Sequence, residues 1–277
     1  MDIHSKINKL KKILQTLQPG IIAISGGLDS TVLAKFITVH NLDFTGIFFR
    51  GNHMTHYEQK WAREIFKNIN IDYSEFEINL LELKEVKENH KKRCYFCKKY
   101  LFSQIKERTQ SRTIIEGSHV DDYKEYRPGI EALKELKVIS PYNLVGMSKK
   151  EIYSLGSELG LPVDRFPVRP CLLTRFPYNT KIDPKILNCL NRAESYILGL
   201  ELQNFRIRII NGEYNLHVLA KEKDLFLRKQ NQIINELKRF NVNIKRISFV
   251  KKLSGFFDKK IKKQGEILWL VKYFSGT

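Results

Sequence analysis

Gly20-Ile21-Ile22-Ala23-Ile24-Ser25-Gly26-Gly27-Leu28-Asp29-Ser30 opens as an apolar run, turns on two glycines and passes into a helical pattern that ends near residue 40. Read as strand, tight loop and helix, it sets a helix N-terminus at the carboxyl end of a strand. The first N–H groups of such a helix lack intrahelical acceptors and carry the positive end of its dipole, so the geometry binds anions, phosphate above all. Gly26 and Gly27 let the backbone approach a ligand closely, and Ser25 and Ser30 add hydroxyl donors. A Walker-type loop would end in Gly-Lys-Ser/Thr and set a lysine on the β- and γ-phosphates; that ending is absent. The competing reading, a plain Gly-Gly turn, has to treat Asp29 and Ser30 as accidents of a strand–loop–helix setting.

Outward from this loop the first 160 residues alternate. An opening helix precedes the strand GIIAIS, and a helix over 29–40 follows the loop. Then come the strand FTGIFF, a helix over 55–68, a short strand at 72–76 and a charged, irregular stretch to Arg93. A helix starting near Cys94 leads to the strand TIIEG, a polar loop to Gly129, the short helix IEALKEL, the strand VIS and a helix from Ser148. Ser148 and Glu151 have capping-box spacing. This alternation predicts an α/β fold, a doubly wound parallel sheet with helices on both faces and ligands at the carboxyl ends of its strands.

The Pro- and Arg-rich segment that follows has little periodicity and reads as a linker or active-site loop. Beyond it lie a helix over 184–198, the strand FRIRII, an Asn211-Gly212 turn, the strand YNLHVLA, a long helix to Phe240 and the strand NIKRISFV. Asn-Gly between two apolar-alternating runs signals a hairpin. The expected organisation is a nucleotide domain over 1–165, a loop over 166–182 and a smaller basic α+β domain over 183–277, for substrate binding or oligomerisation.

The chain has 277 residues, 42% hydrophobic and 11% aromatic, enough to bury a core, so it is not a disordered chain. No apolar run approaches the roughly 20 residues of a membrane span. The N-terminal amphipathic helix has no signal-peptide pattern. A soluble, cytoplasmic protein is expected. There are 48 Lys and Arg against 30 Asp and Glu, a formal charge of +18. Residues 221–277 alone hold 15 Lys and Arg against 5 Asp and Glu, with basic pairs such as Lys238-Arg239, Lys245-Arg246, Lys259-Lys260 and Lys262-Lys263. Such a segment suits RNA or another polyanion, and equally a solvated face; no RNA-binding module signature accompanies it.

Four cysteines in a chain of this kind argue for thiol chemistry or metal, not a disulfide frame. Cys94 and Cys97 form a Cys-x-x-Cys at a helix start, beside Arg93, Lys98 and Lys99; Cys171 lies between Arg169 and Arg175. Neighbouring cations enrich the thiolate, which attacks carbon and binds metal. Three thiolates suit three irons of a 4Fe-4S cluster, and zinc with a histidine such as His90 is the competing site. Cys189, in the apolar ILNCLNRAE, reads as core.

These motifs converge. SGGLDS is similar to the pyrophosphate loop, SGGxDS, of the ATP pyrophosphatases, in which the loop grips pyrophosphate and the acid helps hold magnesium. With RCYFCKKYLF at 93–102, EGSHVDDYKEYRPGIEALKELKVISPY at 116–142, SKKEIYSLGSELGLP at 148–162, CLLTRFPYNT at 171–180, Ala193-Glu194 and Arg206-Ile207-Arg208, the chain over roughly 20–219 resembles the ATP-dependent sulfurtransferases of the LarE type. These enzymes mature the nickel-pincer nucleotide of lactate racemase. The resemblance implies an adenine nucleotide alpha hydrolase-like domain and adenylation of a carboxylate on a pyridinium-3,5-biscarboxylic acid mononucleotide, with pyrophosphate released before sulfur attacks. It implies ATP at Ser25, Gly26, Gly27, Asp29, Ser30, Gly117, Asp121, Asp122 and Arg127, and Mg²⁺ at Asp29. Substrate falls to Thr174, Arg175, Glu194, Arg206 and Arg208, the Arg-x-Arg pair suiting a phosphate. Solvated residues are the competing reading for Glu194 and for that pair.

Some LarE-type members surrender the sulfur of the cysteine matching Cys171; others carry the Cys-x-x-Cys as well and use a cluster-bound sulfide. With all three cysteines present, the resemblance implies a 4Fe-4S cluster on Cys94, Cys97 and Cys171. A homo-oligomer is expected, and no membrane partner. The family's Ala-Ala-Cys-Leu-Ala-Ser-Arg is here Arg169-Pro170-Cys171-Leu172-Leu173-Thr174-Arg175, a departure beside the reactive cysteine. The basic C-terminal segment keeps tRNA, and hence a tRNA thiolase of the same loop class, as the second reading.

Overall fold

The computed structural model describes residues 2–110, 112–124, 127–166, 169–258 and 270–271. The chain divides into two units, one of Met1–Gly51, Glu58–Val86 and Lys92–Pro167, the other of Asn52–Tyr57, Lys87–Lys91 and Val168–Thr277. In chain order the elements are α1 (Ile3–Leu17), β1 (Gly20–Ile24), α2 (Leu28–Val39), β2 (Phe44–Gly51), α3 (His56–Ile69), β3 (Tyr73–Ile78), α4 (Lys84–Lys87), α5 (Arg93–Arg108), β4 (Thr113–Ile115), α6 (Val120–Tyr123), α7 (Pro128–Glu135), α8 (Pro141–Leu144) and α9 (Lys149–Glu158). After two 3₁₀ turns come α10 (Pro184–Gly199), β5 (Phe205–Ile210), β6 (Glu213–Leu219), α11 (Lys223–Arg239), β7 (Ile244–Val250) and β8 (Leu270–Val271).

In the first unit β1 to β4 make an all-parallel sheet of order β3-β2-β1-β4, with Gly20 opposite both Phe44 and Thr113. Ile21, Ile47, Phe49 and Ile114 pack on one face against Phe102 and Ile105 of α5 and Leu133 of α7. The alternate residue Phe48 points to the other face and meets Phe66 of α3 edge-on, ring centroids 5.3 Å apart. Covering both faces is what makes these strands read as nearly continuous apolar runs. The order reverses between β1 and β4, and such a switch point is where an open α/β sheet binds its ligand. The expected strand VIS is reduced to one parallel bridge, Ile115 to Ile139, because Pro141 starts α8 two residues later. The Ser148–Glu151 capping box is present, with Ser148 N donating to the Glu151 carboxylate at 2.7 Å.

The second unit carries a mixed sheet of order β5-β6-β7-β8. β5 and β6 form the expected hairpin, with Asn211 at φ 52° and Gly212 at φ 78°, the left-handed pair a two-residue primed turn requires. α11 then crosses over to make β7 parallel to β6. Two short pieces from early in the chain join this unit through buried amides. Asn191 of α10 accepts from His56 N at 2.8 Å, and Asn89 donates to the carbonyls of Phe176 (3.1 Å) and Pro177 (2.6 Å). The Pro/Arg segment is not an open linker: Leu172, Leu173 and Phe176 are buried. No helix of the described residues is long and apolar enough to cross a membrane.

Candidate functional site

The loop after β1 is braced from within. Ser25 N donates to Ser30 Oγ at 3.1 Å, Ser30 Oγ donates to Gly27 O at 3.2 Å, and the two serine hydroxyls lie 3.1 Å apart. Ser25 and Ser30 therefore shape the loop as well as face it. Gly26 sits at φ +75°, and a Cβ there would come within 2.6 Å of Ala62 Cβ. Gly27 is the N-cap of α2 and supplies no side-chain bond, so backbone N–H groups front the helix. Behind the loop, a Cβ on Gly117 would lie 2.9 Å from Ser30 N and 3.1 Å from Asp29 C. Neither backbone atom can yield cheaply, so Gly117→Ala is expected to spread the loop and cost about 1–3 kcal/mol in a denaturant titration.

Asp29 lies in the first turn of α2, its carboxylate oxygens 2.6 and 2.7 Å from Lys149 Nζ. Lys149 N donates to Asp121 Oδ2 at 2.9 Å, and with Lys124 this holds the Asp121 carboxyl below its usual range. Asp122 is buried, accepting from His119 N at 3.1 Å and pairing with Arg127 Nη1 at 2.5 Å. Glu116, at the end of β4, is buried and accepts from Ser118 N and Oγ at 2.9 and 2.7 Å. Thus Ser25, Gly26, Gly27, Asp29, Ser30, Gly117 and Asp121 gather at the switch point, with Asp122 and Arg127 beside Asp121. The Lys149–Asp29 pair joins residues 120 positions apart and has no motif of its own in the sequence. A lysine in the first turn of a helix opposes the helix dipole, and that local misfit was the available signal.

The second unit gathers the other residues around Glu194. It lies on the apolar face of α10 with Leu187, Leu190, Ala193 and Ile197 and is fully buried. Arg175 grips it with two bonds of 2.8 Å, Arg169 pairs with it, and Ile207 N donates to it at 2.8 Å. Burial alone would raise its pKa; Arg175 and Arg169 outweigh that and hold it at about 2. Arg206 and Arg208 share one face of β5 and are buried. Burial, then the charges of Arg169 and Arg175, push Arg206 down to about 8; burial and Arg175 lower Arg208 to about 10. Positive charge here exceeds what Glu194 balances, a field suited to a multiply charged anion. The solvated readings of Glu194, Arg206 and Arg208 therefore fail, because partners distant in sequence bury them.

Cys171 is half-buried and leads the 3₁₀ turn Leu172–Arg175. Thr174 Oγ1 donates to Cys171 O at 2.8 Å and accepts from Arg175 Nη1 at 2.7 Å, and Leu172 N donates to His53 O at 2.8 Å. Thr174 and Arg175 thus fix the turn that presents the cysteine. Cys94 (exposed) and Cys97 (half-buried) occupy the first turns of α5, one turn apart. Cys189 is half-buried, not core, because it lies beside the buried stripe of α10. No cysteine is in a disulfide. Within either unit alone, among the described residues, no three His, Cys, Asp or Glu side chains cluster as a metal site. Of the basic pairs, Lys238, Arg239, Lys245 and Arg246 are exposed, whereas Lys259-Lys260 and Lys262-Lys263 lie outside the described residues.

An all-parallel sheet with a glycine-rich loop at its switch point is the architecture of a Rossmann-like PP-loop domain. The chain is 32% identical over 218 residues to an uncharacterized protein of Synechocystis sp., covering 77% of this chain and 80% of that one. It is 30% identical over 227 residues to an uncharacterized protein of Methanocaldococcus jannaschii, covering 79% and 85%. It is 26% identical over 214 residues to the pyridinium-3,5-bisthiocarboxylic acid mononucleotide synthase of Lactiplantibacillus plantarum, covering 76% and 78%. No family model matches. The chain belongs to the family of the Synechocystis and Methanocaldococcus proteins, a LarE-like family.

Proposed function

We propose that the protein is an ATP-dependent sulfurtransferase that adenylates a carboxylate of a pyridinium mononucleotide and replaces the activated oxygen with sulfur. The observation that carries this is the braced SGGLDS loop with Asp29 at the switch point. The name of the Lactiplantibacillus plantarum relative supports the substrate class. Ser25, Gly26, Gly27 and Ser30 hold the phosphates through loop and helix N–H groups, and Gly117, Asp121, Asp122 and Arg127 line the nucleotide site. A carboxylate oxygen attacks the α-phosphorus and pyrophosphate leaves. Sulfur then attacks the acyl carbon and AMP departs, a far better leaving group than oxide. Arg206 and Arg208 hold the mononucleotide phosphate, Glu194 sets the arginine field, and Thr174 and Arg175 present Cys171.

Asp29 offers Mg²⁺ a partly exposed hard oxygen donor, which fits provided Lys149 shifts from it toward phosphate. The sulfur source is assigned to a 4Fe-4S cluster on Cys94, Cys97 and Cys171, whose fourth iron would supply sulfide. Cys94 and Cys97, one helical turn apart at the start of α5, suit two irons of such a cluster. Anaerobic purification is expected to give a protein with broad visible absorbance, iron and acid-labile sulfide, all lost in Cys94→Ser/Cys97→Ser. A colourless protein whose Cys171 loses the mass of one sulfur during turnover would instead make Cys171 the sacrificed donor. The exposed basic residues of α11 and β7 favour one second reading, a tRNA thiolase. It requires tRNA binding that falls steeply with salt, and no binding at low salt removes it.

A further inference from the structure

The turn at 253–258 takes no part in the chemistry above, yet it rests on Arg208. The Leu253 carbonyl accepts from Arg208 Nη2, and the Phe256 ring centre lies 4.5 Å from the guanidinium carbon. His217, facing Arg206 across the β5–β6 hairpin, accepts from Arg208 Nη1 through Nδ1 and lies tilted against Phe256, ring centroids 4.8 Å apart. Burial and the adjacent Arg208 push His217 down to about 3, so it stays a neutral acceptor and does not compete as a cation. The turn is held at both ends. Gly255 at φ +69° reverses the chain, Phe257 packs edge-on to Phe256 at 5.0 Å, and Asp258 accepts from Tyr178 Oη at 2.6 Å. Phe256 is nonetheless 43% exposed, a large apolar ring kept in water with the Arg208 cation beside it.

We infer that Phe256 is a positioning residue for the phosphate end of a mononucleotide: with His217 Nδ1 and the Leu253 carbonyl it fixes the plane of the Arg208 guanidinium. This rests on the reading that Arg206 and Arg208 hold that phosphate. A long side chain fixed beforehand loses less freedom when an anion binds, and the ring supplies that fixing without spending a charge. Two guanidinium N–H groups go to neutral acceptors and the cationic face goes to an aromatic ring, so Arg208 keeps its full charge for an anion.

The test titrates nicotinic acid mononucleotide calorimetrically into the full-length protein, with the loop saturated by α,β-methylene-ATP so that phosphate cannot report from there. Phe256→Ala and Phe256→Leu are expected to weaken binding about five- to tenfold while Phe256→Tyr stays within about twofold. Arg208→Ala should lose at least as much as Phe256→Ala, and α,β-methylene-ATP affinity should be unchanged in all four variants. If Arg208→Ala loses affinity while both Phe256→Ala and Phe256→Leu bind like the parent, the positioning role is wrong. The same holds if Phe256→Leu rescues as well as Phe256→Tyr, since filling space would then suffice. If Arg206→Ala and Arg208→Ala both bind like the parent, the phosphate assignment itself fails. Thermal melts of Phe256→Leu and Phe256→Tyr should match, which separates loss of affinity from loss of fold.

Discussion

Asp29→Ala is expected to reduce pyrophosphate release from ATP by a factor on the order of 100 to 1000, the usual effect of removing one preorganised charge from a transition-state site. The same change should barely disturb the fold. The Asp29–Lys149 pair is partly solvated, with side chains 29% and 45% exposed, and such pairs contribute about 0–1 kcal/mol. The favourable carboxylate at the start of α2 adds about 0.3–1 kcal/mol. A loss of rate worth roughly 3–4 kcal/mol against a stability change of about 1 kcal/mol separates a catalytic carboxylate from a structural one. Asp29→Asn sharpens the contrast, since it keeps the shape and removes the charge that pairs with Lys149. Steady release of pyrophosphate by both variants would mean that the α–β bond is not cleaved at this loop.

What the sequence disclosed about this site follows from how local its chemistry is. The loop 25–30, the Ser148–Glu151 cap and the Asn211-Gly212 turn are each decided within a few residues, and each formed as expected. The failures are tertiary. Glu194 lies on the core stripe of α10 by period and on the surface by charge. Arg169 and Arg175, brought from a segment without periodicity, together with Ile207 N settle that conflict in favour of burial. Arg169 registered in the sequence as a departure beside Cys171, and the structure makes it a second grip on Glu194. Ile139 lies in a strand-like run that Pro141 cuts short, which period alone does not weigh. Phe256 carries no sequence signal at all, because its meaning comes from Arg208, a residue 48 positions earlier on another element.

Glu194→Ala is expected to be the most destabilising single change in the second unit. Replacing a buried carboxylate that two guanidiniums grip leaves those cations uncompensated, at a cost of about 3–5 kcal/mol. The charge field predicts the pH dependence. The folded carboxyl lies at about 2, below its ordinary value of 4.5. Its contribution is therefore fully present above pH 4.5 and drains away as pH falls toward about 2, where the folded carboxyl also protonates. Urea titrations of the parent and Glu194→Gln should thus diverge most at neutral pH and converge between pH 4.5 and pH 2; a constant gap would deny that this carboxylate is charged in the fold. Anions offer an independent check. Removing Glu194 raises the positive charge among Arg169, Arg175, Arg206 and Arg208, so a ligand phosphate should stabilise Glu194→Gln by more than it stabilises the parent, through RT ln(1 + [L]/Kd). If added phosphate stabilises both equally, the surplus charge around Glu194 is not what draws an anion to the cluster.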